Sequence, residues 1–107
     1  MDIDSLIEEA IVDCYDEEEC RIGFLTPLQD NVQTPFKAKL GGSAVTIKKI
    51  DGDDRVIKAF IQNGKATYPV DVLDLEIEPN ISGYEWIAAY RKWENGKKKM
   101  KLLDAER

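Results

Sequence analysis

Asn63-Gly64 falls between two runs of alternating side chains, Val56–Gln62 and Lys65–Val70. Asn-Gly in that setting is the preferred dipeptide of a type I′ turn, whose twist matches that of two antiparallel strands. The pair therefore commits the middle of the chain to a hairpin, and its neighbours extend it. Pro35 marks the start of β structure. Phe36–Leu40 alternates apolar and basic residues, Gly41-Gly42 turns the chain, and Ala44–Ile50 follows with Val45 and Ile47 apolar. Asp51-Gly52-Asp53-Asp54 makes a further turn. After Val70, Asp71–Asp74 is a one-turn link to a short Leu75-Glu76-Ile77 strand. Five short strands over residues 36–78 predict a small SH3-like β-barrel.

Helices flank that barrel. Leu6, Ile7, Ala10, Ile11 and Cys14 recur at three- and four-residue spacing, so residues 4–14 read as a helix with Glu8, Glu9 and Asp13 on its wet face. Asp4 or Ser5 can cap it, and Ser5-x-x-Glu8 fits a capping box. A second helical segment starts at Asp16, where Asp16-x-x-Glu19 is again box-like. Pro27 predicts that this segment is kinked or divided before it ends near Asn31, with Thr26 capping the restart. Ser82-Gly83-Tyr84-Glu85 opens a last helix whose Trp86, Ile87, Tyr90 and Trp93 form a stripe for packing, with Gly96 just past its end. The fold class is α+β in one domain, 1–107: acidic helices over 4–31, barrel over 36–78, C-terminal helix over 82–95, and a basic tail over 97–107. That tail is expected to fold back on the acidic helices.

Charge is distributed unevenly. The first 30 residues hold ten carboxylates and one base, Arg21, and five of the ten lie in Asp13-Cys14-Tyr15-Asp16-Glu17-Glu18-Glu19. Such a run repels itself unless solvent, a helix dipole, a basic segment or a cation compensates. The sequence pI of about 4.7 argues against nucleic acid as a partner and for cations or a basic protein surface. Histidine is absent, which removes the commonest transition-metal ligand and the usual acid–base group near neutral pH. With no phosphate-binding Gly-rich loop and no nucleophile elbow, no catalytic activity is expected. No apolar run approaches a membrane span, so no membrane partner is expected and the expected compartment is the cytoplasm. On a continuous helix Cys14 and Cys20 would lie about 120° apart around the axis, so no disulfide is expected.

Two readings fit the acidic run. In one, Asp16 caps the second helix and Glu17–Glu19 answer the positive end of its dipole. In the other, the carboxylates gather Ca²⁺, a hard cation that takes roughly six to eight oxygens. A continuous helix would align Glu9, Asp13 and Glu17, whereas a break near Tyr15 would let Asp13 and Asp16 converge. Asp51–Asp54 is a lesser candidate. It lacks the EF-hand pattern, with Gly52 second in the loop and Gln62 twelfth, and reads more simply as a hairpin turn.

Ile11-Val12-Asp13-Cys14-Tyr15-Asp16-Glu17-Glu18-Glu19 resembles the opening of the cyanobacterial CcbP-type calcium-binding protein family, Ile/Val-Val-Asp-x-Tyr-Asp-Glu-Glu-Glu. The resemblance continues through Gly23-Phe24, Leu28-Gln29-Asp30, Pro35–Lys39, Tyr68-Pro69-Val70, Leu75-Glu76 and the Trp-containing last helix. It touches most of residues 7–93, with 41–67 matching in strand pattern alone. Pro27, the lysine-rich tail, and Gln29 in place of a carboxylate are departures from the family pattern. What the resemblance implies is a helix-flanked SH3-like fold that binds Ca²⁺ through surface carboxylates, with Asp13, Asp16, Glu17, Glu18 and Asp30 as ligand candidates. The expected function is a calcium buffer or modest sensor. The alternative is an acidic SH3-like interaction module that docks a basic partner without metal.

Overall fold

The computed structural model describes residues 2–105, with side chains through residue 96. Strands β1 (Phe36–Leu40), β2 (Ser43–Gly52), β3 (Ile57–Asn63) and β4 (Ala66–Asp71) form one antiparallel sheet in the order β1-β2-β3-β4. Asn63 pairs with Ala66, so the hairpin forms, but its central residues are Gly64 (φ +63°) and Lys65 rather than Asn63-Gly64. Type I′ needs positive φ at both central positions and Lys65 does not have it, so the expected type I′ turn is replaced by one with glycine first. Alternation then sets the faces, and Ile57, Ala59 and Ile61 all turn into the core. A β-bulge between Ile47 and Lys49 shifts the parity of β2. Ile47 and Ile50 consequently both face inward, while Lys48 and Lys49 are both exposed.

The barrel does not close. Beyond β4 a single 3₁₀ turn (Val72–Asp74) leads to Leu75–Ile77, which meets β1 through one reciprocal pair. The Lys39 N–H donates to Glu76 O at 2.9 Å and the Glu76 N–H to Lys39 O at 2.8 Å. Pro79 follows two residues after Ile77 and has no N–H to continue a ladder. Leu75 and Ile77 bury their side chains without further pairing. The predicted fifth strand is thus one bridge on an open four-stranded sheet.

Three helices complete the fold: α1 (Ile3–Ile11), α2 (Glu17–Asn31) and α3 (Tyr84–Ala105). Asp2, rather than Asp4 or Ser5, caps α1: its carboxylate accepts from the Asp4 N–H (3.2 Å) and the Ser5 hydroxyl (3.1 Å). Helix α2 runs undivided through Pro27, so of the expected kink or division the division, with its restart at Thr26, does not occur. A mid-helix proline costs about 3 kcal/mol, but Phe24 and Leu28 on either side are fully buried and hold the helix to the core. Helix α3 starts after Gly83 (φ +86°), one residue later than the box at Ser82 requires, and continues past Gly96. The basic residues 97–105 therefore prolong α3, and their side chains lie outside the described residues.

The helices pack on one another, and α2 also touches β2. The α3 stripe forms the expected seam: Phe24 of α2 meets Tyr90 at 5.4 Å and Trp93 at 5.3 Å between ring centroids. Gly23 sets the α1–α2 crossing. A Cβ there would lie 2.1 Å from the backbone oxygen of Ala10, so no larger residue fits without moving a helix.

Candidate metal centre

The acidic run lies at the junction between α1 and α2. Helix α1 stops at Ile11, and Asp13 adopts φ +64°, a left-handed conformation that Asp and Asn tolerate better than most residues. The Cys14 N–H then donates to Ile11 O at 3.1 Å, and the chain turns out of the helix. Helix α2 begins from Asp16, whose Oδ1 accepts from the Glu19 N–H at 2.9 Å. Glu19 Oε2 returns the contact by accepting from the Tyr15 N–H at 3.1 Å. This is the box anticipated from Asp16-x-x-Glu19, with the return contact one residue before the cap.

Because Cys14 has left the helix, the angular argument against a disulfide fails. Cys14 and Cys20 are bonded, with their Cα atoms 5.3 Å apart, within the normal span of a disulfide. The expectation of two unbridged cysteines assumed a helical continuity that the turn at Asp13 removes.

Asp13, Asp16, Glu17 and Glu18 are all exposed and share this junction. Asp30 does not: it sits thirteen residues beyond Glu17 on the same helix, about 20 Å along the axis at 1.5 Å per residue. Among the described residues, no three His, Cys, Asp or Glu side chains converge into a preformed cage. The donors fit calcium in kind, being exposed carboxylates on a turn with backbone carbonyls beside them. They would have to be drawn together by the ion through side-chain rotation.

Arg21 decides the electrostatics. It is the sole base among the first 30 residues, and it is buried. Its Nη2 lies 2.7 Å from Glu94 Oε1, its Nη1 donates to Asp54 O at 2.7 Å, and its guanidinium sits 5.7 Å from the Trp93 ring centroid. Burial works against the Arg21 charge, yet the hydrogen bonds and charge of Glu94, aided by Tyr90, hold its pKa above the ordinary value. Burial, then the Glu94 charge, pushes the Tyr90 hydroxyl up to about 12, partly opposed by Arg21. The one base of this segment is thus committed to Glu94 and the Asp54 carbonyl. At the far end of α1, Lys92 pairs with Asp4 at 2.7 Å on the surface, and that hydrogen bond raises the Lys92 pKa. Neither of these ion pairs includes Asp13, Asp16 or Glu18.

Arg21 and Glu94 were not legible as a pair. Arg21 precedes Phe24 by three and Leu28 by seven, the spacing of the buried face of α2, and that register was the available signal. The second acidic cluster is a turn, as its simpler reading held. Asp53 Oδ1 accepts from the N–H groups of Arg55 (2.8 Å) and Val56 (3.1 Å), which lowers its pKa. Gln29 donates to Ile50 O at 3.1 Å and so ties α2 to β2. Three of the four exposed large apolar side chains among the described residues, Val12, Tyr15 and Ile22, surround the acidic junction.

The sequence profile of the CcbP family, described as calcium binding, matches residues 4–94. The chain belongs to the CcbP calcium-binding family. The crystal structure of Anabaena CcbP is similar at a TM-score of 0.70 and 25% identity, covering 85% of this chain and 87% of that one. A calcium-binding protein solved in its calcium-binding form has the same fold, with a TM-score of 0.72, 23% identity, and 89% and 90% of the two chains covered. No curated protein matches the sequence. The CcbP match holds the junction, the sheet and the aromatic seam, and stops before the lysine-rich end of α3. No helix among the described residues is long and apolar enough to cross a membrane.

Proposed function

We propose that this CcbP-family protein takes up Ca²⁺ at the α1–α2 junction, as a buffer or modest sensor rather than an enzyme. Asp13, Asp16, Glu17 and Glu18 supply the carboxylate oxygens. The observation that carries this is the inward turn of Arg21: the densest acidic stretch of the chain is exposed, and its own base is held by Glu94. A cation adds positive charge where these exposed carboxylates cluster. The cap at Asp16 fixes the first turn of α2, and the Asp13 turn brings the end of α1 alongside it. Asp30 belongs to a separate and weaker locus, since it lies one helix length away. The Lys39–Glu76 bridge supports reading the sheet as an SH3-like barrel left open at one seam.

Selectivity tests the donor set. The two sulfurs are bonded to each other and offer no thiolate, so Ca²⁺ should bind more tightly than Zn²⁺ at equal concentration. Mg²⁺ should compete weakly because it demands near-octahedral geometry. Competition calorimetry that ranks zinc above calcium would contradict an all-oxygen site.

A second reading is a metal-independent docking surface for a basic partner. It is favoured by the exposure of Val12 (65%), Tyr15 (92%) and Ile22 (49%) among the carboxylates, a mixture that suits a basic amphipathic segment. Binding of such a peptide equally well in chelator, and weakening with salt, would support it. Binding that requires calcium would assign the same surface to a sensor.

A further inference from the structure

The Cys14–Cys20 bond closes a ring around Asp16, Glu17, Glu18 and Glu19, and Asp13 immediately precedes it. Residues 12–16, which lead from α1 into the ring, lie between the two helices. The Cys14 N–H reaches back to Ile11 O, the Tyr15 N–H donates to Glu19 Oε2, and the N–H groups of Glu19 and Cys20 donate to Asp16. Val12, Asp13, Tyr15 and Asp16 are exposed, so packing contributes little to holding the turn. The bond therefore keeps mutually repelling carboxylates at the end of α1 and the start of α2 close together. Without it, that repulsion would spread the turn, and a cation would have to reassemble it at a cost in affinity.

We propose that Cys14–Cys20 is a thiol–disulfide exchange site for dithiol reductants, and that its redox state sets the calcium affinity of the junction. The inference rests on the calcium site proposed above and adds the control of that site. Cys14 is half-buried and Cys20 is buried, so the incoming thiolate attacks Cys14 Sγ. The Sγ–Sγ bond breaks, and Cys20 departs as a thiolate that takes up a proton. The second thiol of the reductant attacks the mixed disulfide and releases Cys14 as a thiol. Two electrons and two protons pass to the protein, and the reductant leaves as its own disulfide. The reverse exchange with an oxidised dithiol restores the bond.

Linkage makes the coupling reciprocal. If the disulfide form binds calcium more tightly by some factor, calcium favours the disulfide over the dithiol by the same factor. The test uses the full chain, with calcium as the ligand and dithiothreitol as the reductant. Calorimetry on the oxidised and reduced forms should show Kd weakened roughly tenfold on reduction, toward the lower end of usual coupling factors. Cys14→Ser should show the weaker Kd with or without reductant. In a series of dithiothreitol redox buffers, saturating calcium should shift the midpoint toward more negative potential by about 30 mV, the equivalent of tenfold for two electrons.

Equal calcium binding in the two forms, with an unmoved midpoint, would overturn the coupling while leaving the calcium site intact. Absence of calcium binding in both forms would overturn the site and the coupling with it. Loss of the far-UV circular dichroism on reduction would also overturn the inference, since the change claimed is confined to the junction.

Discussion

Glu94→Ala should be one of the most damaging single changes outside the apolar core. Arg21 and Glu94 meet at 2.7 Å with side chains only 10% and 12% exposed. Removing the carboxylate leaves a buried guanidinium that keeps the Asp54 carbonyl, the Tyr90 hydroxyl and the Trp93 ring but no longer has a carboxylate partner at 2.7 Å. Breaking a buried pair from one side costs about 3–5 kcal/mol, and the residual solvent access here places the expectation near 3 kcal/mol. For a chain of 107 residues the unfolding entropy is roughly 0.2 kcal/mol/K, so the melting temperature should fall by about 13 °C. Urea denaturation followed by circular dichroism measures the free energy directly. Arg21→Met should cost a comparable amount. The double variant Arg21→Met/Glu94→Leu should cost less than the sum of the singles by about 2 kcal/mol, because it removes both charges and leaves apolar volume. A Glu94→Ala loss below about 1 kcal/mol, or strict additivity in the double variant, would refute the claim that this pair is buried and coupled.

Gly23→Ala should destabilise by about 1–3 kcal/mol in the same assay, because the new methyl would meet Ala10 O at 2.1 Å and push α1 from α2; a neutral effect would show the crossing to be looser. Alkaline stability should report Tyr90. Its folded pKa is raised to about 12 against about 10 in the unfolded chain, so the unfolded state loses its proton first. The Tyr90 contribution is intact below pH 10 and falls by about 2 kcal/mol as the pH approaches 12. Tyr90→Phe should flatten that part of the decline in pH-dependent urea melts. An unchanged slope would place the hydroxyl in solvent. Lys92→Met should leave stability nearly unchanged, because the Lys92–Asp4 pair is exposed on both sides.

The legible parts of the chain were those in which local chemistry and tertiary packing agree. The hairpin forms beside Asn63-Gly64, though its turn is centred one residue later than expected, Asp16 caps α2 through Glu19, and the Trp86–Trp93 stripe meets Phe24. The illegible parts were decided by contacts distant in sequence. Pro27 reads as a helix breaker, but burial of Phe24 and Leu28 outweighs its local cost. The bulge at Lys48 and the single Lys39–Glu76 bridge depend on sheet registers that no short window encodes. The disulfide was hidden because one left-handed residue, Asp13, moves Cys14 off the helix. Asp30 entered the candidate ligands by motif resemblance, whereas the length of α2 separates it from the others. Arg21 looked like a minor offset to the acidic run, and its partner Glu94 lies 73 residues away.

Calcium titration calorimetry on the oxidised protein tests the central claim most directly. The open carboxylate junction should give a Kd on the order of 10⁻⁶ to 10⁻⁴ M, within the range of sensors rather than tight buffers. Asp13→Asn/Asp16→Asn should weaken it by at least about tenfold while keeping the α2 cap, since Asn caps a helix as well as Asp. Asp30→Asn should leave it unchanged. A double variant that binds calcium as tightly as the parent, or an Asp30→Asn variant that loses as much, would contradict a site at the α1–α2 junction.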